Sequence, residues 1–177
     1  MALRPARCYR RLKRPYTRWA VRRPKKNYIG GVPGLRIRRF VTGKPKAEYK
    51  YRYYLVADSK LNIRENALEA ARMAINRQIE RALGKGNYFF RLMSYPHHVI
   101  RENKMLTGAG ADRLQKGMSK AFGKPVGRAV RSYPGMKVFE VWSPKPIDDV
   151  IRVAFKRGMM KLPGDYHIES KVVETTA

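Results

Sequence analysis

The chain has 177 residues and carries 40 Lys and Arg against 13 Asp and Glu, a formal charge of +27. That length holds one sizeable core with an arm or tail to spare. The charge far exceeds what solubility requires and makes a polyanion, nucleic acid first, the economical partner. A hydrophobic content of 44% with 11% aromatics excludes a wholly disordered basic tail, and no apolar run approaches the roughly 18 to 20 residues of a membrane span. The single cysteine, Cys8, forms no internal disulfide. Together with His97, His98 and His167 it matches no zinc-ligand spacing, so neither metal nor cofactor is expected. Residues 1–14 lack the apolar centre of a signal peptide, and residues 1–28 lack the serines of a transit peptide, so a soluble, cytosolic protein is the expectation.

Residues 1–46 contain sixteen Lys and Arg and no acid, an asymmetry that marks an arm. Tyr9, Tyr16, Trp19 and Tyr28 are interleaved with the charges, and Pro5, Pro15, Pro24 and Pro33 recur through the stretch. Proline fixes φ and removes a donor, so an extended, irregular path is expected over residues 1–33. Arg and Lys there suit phosphates and the rings suit unpaired bases; the plain alternative is a disordered basic leader.

The globular part is expected over 34–170. Residues 34–41 alternate Leu35, Ile37 and Phe40 with Arg36, Arg38 and Arg39, as a half-buried strand with a positive outer face would. Residues 49–57 give a second strand, whose Tyr49, Tyr51 and Tyr53 read as packing rather than as a stacking platform. Asn62 and Glu65 have the form of a capping box, and Leu68, Ala71, Ile75, Ile79, Ala82 and Leu83 repeat at helical spacing until Gly84 and Gly86. Residues 88–95 and 97–101 read as strands, then 128–132 and 137–142 as two strands about a turn at Pro134-Gly135. Ile147, Val150, Ile151, Ala154, Phe155 and Met159 mark a second helix, with Asp148 and Asp149 in its favourable first turn. Residues 166–169 form a last strand and 171–177 a frayed tail. The architecture predicted is α+β, two helices on one face of a largely antiparallel or mixed sheet.

Between the two halves lies an insertion, 102–127, longer than a compact domain carries without a use. It holds five glycines, Met105 and Met118, and five cations against Glu102 and Asp112. Gly108-Ala109-Gly110 opens a dinucleotide fingerprint, but Arg113 stands at the third glycine position. The segment 85–90 resembles half of an RNA recognition motif, but Asn87 and Leu92 replace stacking aromatics. His97-His98 has no carboxylate or thiol partners at catalytic or metal spacing.

Several motifs in order carry a family resemblance. They are residues 4–10 (RPARCYR), 67–72 (ALEAAR), 95–105 (YPHHVIRENKM), 109–115 (AGADRLQ) and 121–125 (AFGKP). Over about 3–169 the chain resembles the archaeal and eukaryotic large-subunit ribosomal protein family L ten e, counterpart of bacterial L sixteen. The resemblance implies an α/β-hammerhead-like sandwich that is no enzyme and needs no cofactor. It further implies binding to large-subunit rRNA near the aminoacyl-tRNA site and the 5S rRNA region, among neighbouring ribosomal proteins in the cytoplasm. No membrane and no homo-oligomer are expected.

On this reading the rRNA-binding residues are Arg4, Arg7, Tyr9, Arg10, Arg11, Lys13, Arg14, Tyr16, Arg18, Trp19, Arg22, Arg23, Lys25 and Lys26 of the arm, with Arg36, Arg38, Arg39 and Lys124. The resemblance also implies that 102–117 faces tRNA and the peptidyl transferase centre, through Asn103, Lys104, Met105, Gly108, Gly110, Asp112, Arg113, Gln115 and Lys116. The spacer 20–31 looks longer and more basic than the family leads one to expect. Two rivals are an RNA-modifying or processing enzyme using His97, His98, Glu102 and Asp112, and an architectural DNA-binding protein.

Overall fold

The computed structural model describes residues 4–12, 25, 29–103 and 123–173. Among them are helices α1 (Arg7–Arg10), α2 (Glu65–Leu83) and α3 (Asp148–Met159). The strands are β1 (Val41–Thr42), β2 (Tyr51–Ala57), β3 (Leu61–Arg64), β4 (Phe89–Leu92), β5 (His98–Glu102), β6 (Lys124–Ser132), β7 (Met136–Ser143) and β8 (Tyr166–Val172). The fold is α+β and every strand pairing is antiparallel. Instead of one sheet there are two, a five-stranded sheet ordered β1-β4-β7-β2-β8 and a three-stranded sheet ordered β3-β6-β5.

Register explains the core. Tyr53 lies opposite Val141, Leu55 opposite Phe139, Phe90 opposite Val141 and Leu92 opposite Phe139, so these side chains share one face of the large sheet. All are buried in a single cluster with Leu68, Ala71, Ile75 and Ile79 of α2 and Ile151, Ala154 and Phe155 of α3. The helical spacing read from the sequence is therefore the buried stripe of each helix. Where the two helices meet, Gly158 brings the α3 backbone against Ile75; a Cβ there would sit 2.6 Å from Ile75 Cδ1.

Tyr49 and Tyr53 are buried as packing residues: the Tyr49 hydroxyl donates to the Gly86 carbonyl, and the Tyr53 hydroxyl accepts the Ile147 N–H ahead of α3. On the other face of the large sheet, Glu140 is buried and ion-paired with Arg91 at 2.6 Å.

Three local expectations need correction. Residues 34–40 form no strand, and only Val41–Thr42 joins a sheet. The reason is that donors of this segment go to carboxylates of α2: Arg36 N–H reaches Glu65 Oε2 at 3.1 Å, and Arg38 N–H bonds to Glu69. Ile37 still inserts into the core. We call residues 33–40 the strap.

The capping box does not form. Asn62 lies in β3, a strand the sequence reading missed, and α2 begins at Glu65 behind an extended Arg64 without a side-chain cap. Both carboxamide hydrogens of Asn62 bond elsewhere, as described below.

The two strands about Pro134-Gly135 are present as expected, β6 and β7, in different sheets. The turn, with Gly135 at φ +81°, carries the chain from the small sheet into the large one.

The edges of the insertion and of the tail also move. Glu102 and residues 124–127 are strand, with Glu102 opposite Lys124. Lys171 and Val172 continue β8 opposite Arg52 and Tyr51.

Candidate nucleic-acid interface

Arg and Lys at an interface with a polyanion must be held by elements that are themselves fixed. The arm is fastened first. Asn62, 3% exposed in β3, donates to the carbonyls of Tyr9 at 3.0 Å and Arg11 at 2.9 Å. Arg64 donates to the Arg4 carbonyl at 2.9 Å and lies over the Tyr9 ring at 5.7 Å. Arg4 in turn pairs with Glu102 at the end of β5, 2.7 Å away. Partial burial, with a hydrogen bond to Glu102, pushes the Tyr9 hydroxyl up to about 12, so it is a neutral donor throughout the physiological range. Arg7, Arg10 and Arg11 remain exposed on the turn this creates.

The strap is fastened next. Glu65, 3% exposed, receives the N–H groups of Arg36 and of Arg128 in β6. Arg128 also donates from Nε to the Pro33 carbonyl at 2.7 Å and from Nη1 to Tyr95 Oη. Glu69 is held by both Arg72 N–H donors at 2.8 Å. That bond, ahead of the smaller contribution from the Arg38 N–H, keeps the Glu69 carboxyl below its ordinary range, and the same pairing raises Arg72. Arg36, Arg38 and Arg39 are exposed, so the positive outer face expected of a strand is presented by a strap tied to a helix.

The root of the insertion completes the arrangement. The chain leaves β5 at Asn103 and rejoins β6 through Gly123, at φ +96°. Arg4 and Tyr9 of the arm, Arg36 of the strap, Glu65 of α2, and Glu102 and Arg128 of the root line one small cavity of about 40 Å³. Arm, strap and insertion therefore converge on a single corner of the molecule, where α2 begins.

A family model described as Ribosomal protein L16p/L10e matches residues 16–169. The chain belongs to this family. Similar proteins include three named large ribosomal subunit protein uL16. That of Hyperthermus butylicus is 50% identical over 169 residues, covering 92% of this chain and 90% of the relative. That of Archaeoglobus fulgidus is 47% identical over 163 residues, with the same coverage, and that of Methanoculleus marisnigri 46% over 164 residues, covering 92% of each. The L16p/L10e match runs from within the arm to β8, so it takes in the strap, both long helices and the insertion.

Of the expected rRNA-binding set, Arg7, Arg10, Arg11, Lys25, Arg36, Arg38, Arg39 and Lys124 are exposed. Arg4 is exposed as well, though paired with Glu102, and half-buried Tyr9 lies beneath Arg64; both anchor the arm. Lys13, Arg14, Tyr16, Arg18, Trp19, Arg22, Arg23 and Lys26 lie outside the described residues, as do Lys104, Met105, Gly108, Gly110, Asp112, Arg113, Gln115 and Lys116 of the insertion; Asn103 is half-buried at its root. Among the described acid–base candidates, Glu102 is paired with Arg4, His97 packs on the Tyr95 ring at 4.5 Å and His98 stands in β5 opposite Ala129; Asp112 lies outside the described residues. Among the described residues no group of three or more His, Cys, Asp and Glu could hold a metal ion.

Sequence reasoning missed Asn62, Arg64, Glu65 and Glu69 as the fasteners. Glu65 and Glu69 are four apart, one helical turn, and therefore share a face. That spacing was the available signal, but it does not say what the face meets.

Proposed function

We propose that this L16p/L10e protein is a structural constituent of the large ribosomal subunit in the cytoplasm, bound to rRNA through its arm and strap. The loop 102–117 serves the aminoacyl-tRNA site, where it helps position tRNA near the peptidyl transferase centre and does no bond chemistry. The region of 5S rRNA and neighbouring ribosomal proteins complete its surroundings. The observation that carries this reading is the convergence of arm, strap and root in a member of a ribosomal protein family. Exposed arginines of two segments, arm and strap, flank the point where the described chain enters the insertion. The relatives are named as ribosomal proteins, and the protein is not an enzyme.

Two measurements test this. The protein is expected to sediment with large subunits after a high-salt wash; release into the free fraction, or equal affinity for duplex DNA and structured rRNA, would overturn the ribosomal reading in favour of an architectural nucleic-acid binder. Deleting residues 107–115 is expected to leave incorporation into subunits intact and to impair tRNA binding and peptide-bond formation. Normal rates in the deleted subunits would remove the insertion from tRNA handling.

A further inference from the structure

Away from that corner, the strap and the outer face of α2 enclose a groove of about 690 Å³ whose floor and rim differ sharply in chemistry. The floor is a closed hydrogen-bond chain. The Tyr88 hydroxyl donates to Asn76 Oδ1 at 2.9 Å, Asn76 Nδ2 donates to Glu80 Oε2 at 3.4 Å, and Glu80 also pairs with Lys85 at 3.7 Å. The rim is cationic: Arg38, Arg39, Arg72, Arg77 and Lys85 face a single lining carboxylate, Glu80. Among the described residues Arg39 and Arg77 are exposed and carry no ion pair, whereas Arg72 is clasped bidentately by Glu69.

We propose that this groove is a second RNA-docking surface, one that grips the phosphate backbone of folded RNA without reading its bases; it rests on the reading of the chain as a ribosomal RNA-binding protein. Three features lead there. Of the five cations around the concavity, Glu69 offsets Arg72 and Glu80 offsets Lys85, and the remaining Arg38, Arg39 and Arg77 give a positive field suited to phosphates. The base edges in the deep, narrow major groove of an A-form helix are closed to side chains, and both ends of the one lining side-chain amide, Asn76, are occupied within the floor. The walls are also held in place before any ligand arrives, because Glu69 ties Arg72 on one side and the Arg38 backbone on the other. Such a site supplies position and salt-dependent affinity rather than sequence preference. It extends the RNA face from the strap along α2 to Lys85, at the far end of the helix from the arm.

The test uses the full chain and an rRNA fragment that the wild-type protein binds, with affinity measured across a salt series. Each phosphate contact contributes about 0.7 to 0.9 to the log–log salt slope. Arg39→Gln with Arg77→Gln is therefore expected to flatten the slope by about 1.5 units, with unchanged melting temperature and unchanged preference between RNA sequences. Lys145→Gln with Lys171→Gln, equally exposed but outside the groove, is expected to leave the slope as it was. An unaltered slope in the groove variant while wild type still binds rRNA would overturn the groove and leave the ribosomal reading standing. An equal loss in both variants would overturn it too, since any surface charge would then serve. Polyglutamate that competes with RNA on wild type but not on the groove variant, at matched ionic strength, would overturn it in favour of an acidic protein partner. Absence of rRNA binding by wild type would take down both readings together.

Discussion

Asn62 has two amide hydrogens, and both meet carbonyls of the arm, at Tyr9 and Arg11. Burial of Asn62 makes these bonds matter, because an amide held away from water finds no solvent partner if the arm leaves. Asn62→Ala is expected to cost about 1 to 3 kcal/mol in denaturant unfolding and to expose the Arg7, Arg10 and Arg11 peptide bonds to trypsin; unchanged stability with unchanged cleavage would show that the arm is held by Arg4 and Arg64 alone. The same residue shows how local reading goes astray. Asn followed three positions later by Glu has the form of a helix cap, and nothing nearby in sequence reveals that the partners of Asn62 lie about fifty residues upstream, or that Glu65 answers to Arg36 and Arg128.

At the scale of elements, periodicity identified what packs and failed where packing is not periodic. The stripes Leu68-Ala71-Ile75-Ile79 and Ile151-Ala154-Phe155 are the buried faces of α2 and α3, because a helix on a sheet must bury residues three and four apart. Alternation at 34–41 correctly placed Ile37 inside and the arginines outside. It misassigned the partner, since an extended segment buries alternate residues whether its donors meet a strand or two glutamates. The contact between α2 and α3 offers a sharp test. Gly158→Ala would press a methyl group into Ile75, and overpacking of this kind costs about 1 to 3 kcal/mol. Adding Ile75→Val is expected to recover part of that loss in thermal unfolding, as residues in contact couple. Strictly additive effects would mean that the helices separate rather than collide.

For the whole molecule, the charge of +27 acts on the fold as well as on its partner. A compact body with that charge repels itself, and salt weakens the repulsion over a Debye length of about 8 to 10 Å. The melting temperature of the free protein is therefore expected to rise with sodium chloride up to a few hundred millimolar, measured by calorimetry. A flat or falling curve would mean that internal pairs such as Arg91–Glu140 outweigh the repulsion. Composition pointed to a polyanionic partner, and the motifs at 95–105 and 109–115 made the family legible. The outer cations of α2 were not singled out, because charges on the far side of an amphipathic helix ordinarily face water; only the strap beside them turns that side into a groove. The sheet order adds a point about time. Strand β2, formed of residues 51–57, lies between β7 and β8, whose residues are all at 136 or later. A ribosome making this chain releases a tyrosine-rich strand with both edges bare and adds some eighty residues before either neighbour exists. Folding is governed by long loop closure rather than local contacts, and the growing chain is most prone to aggregation over that interval.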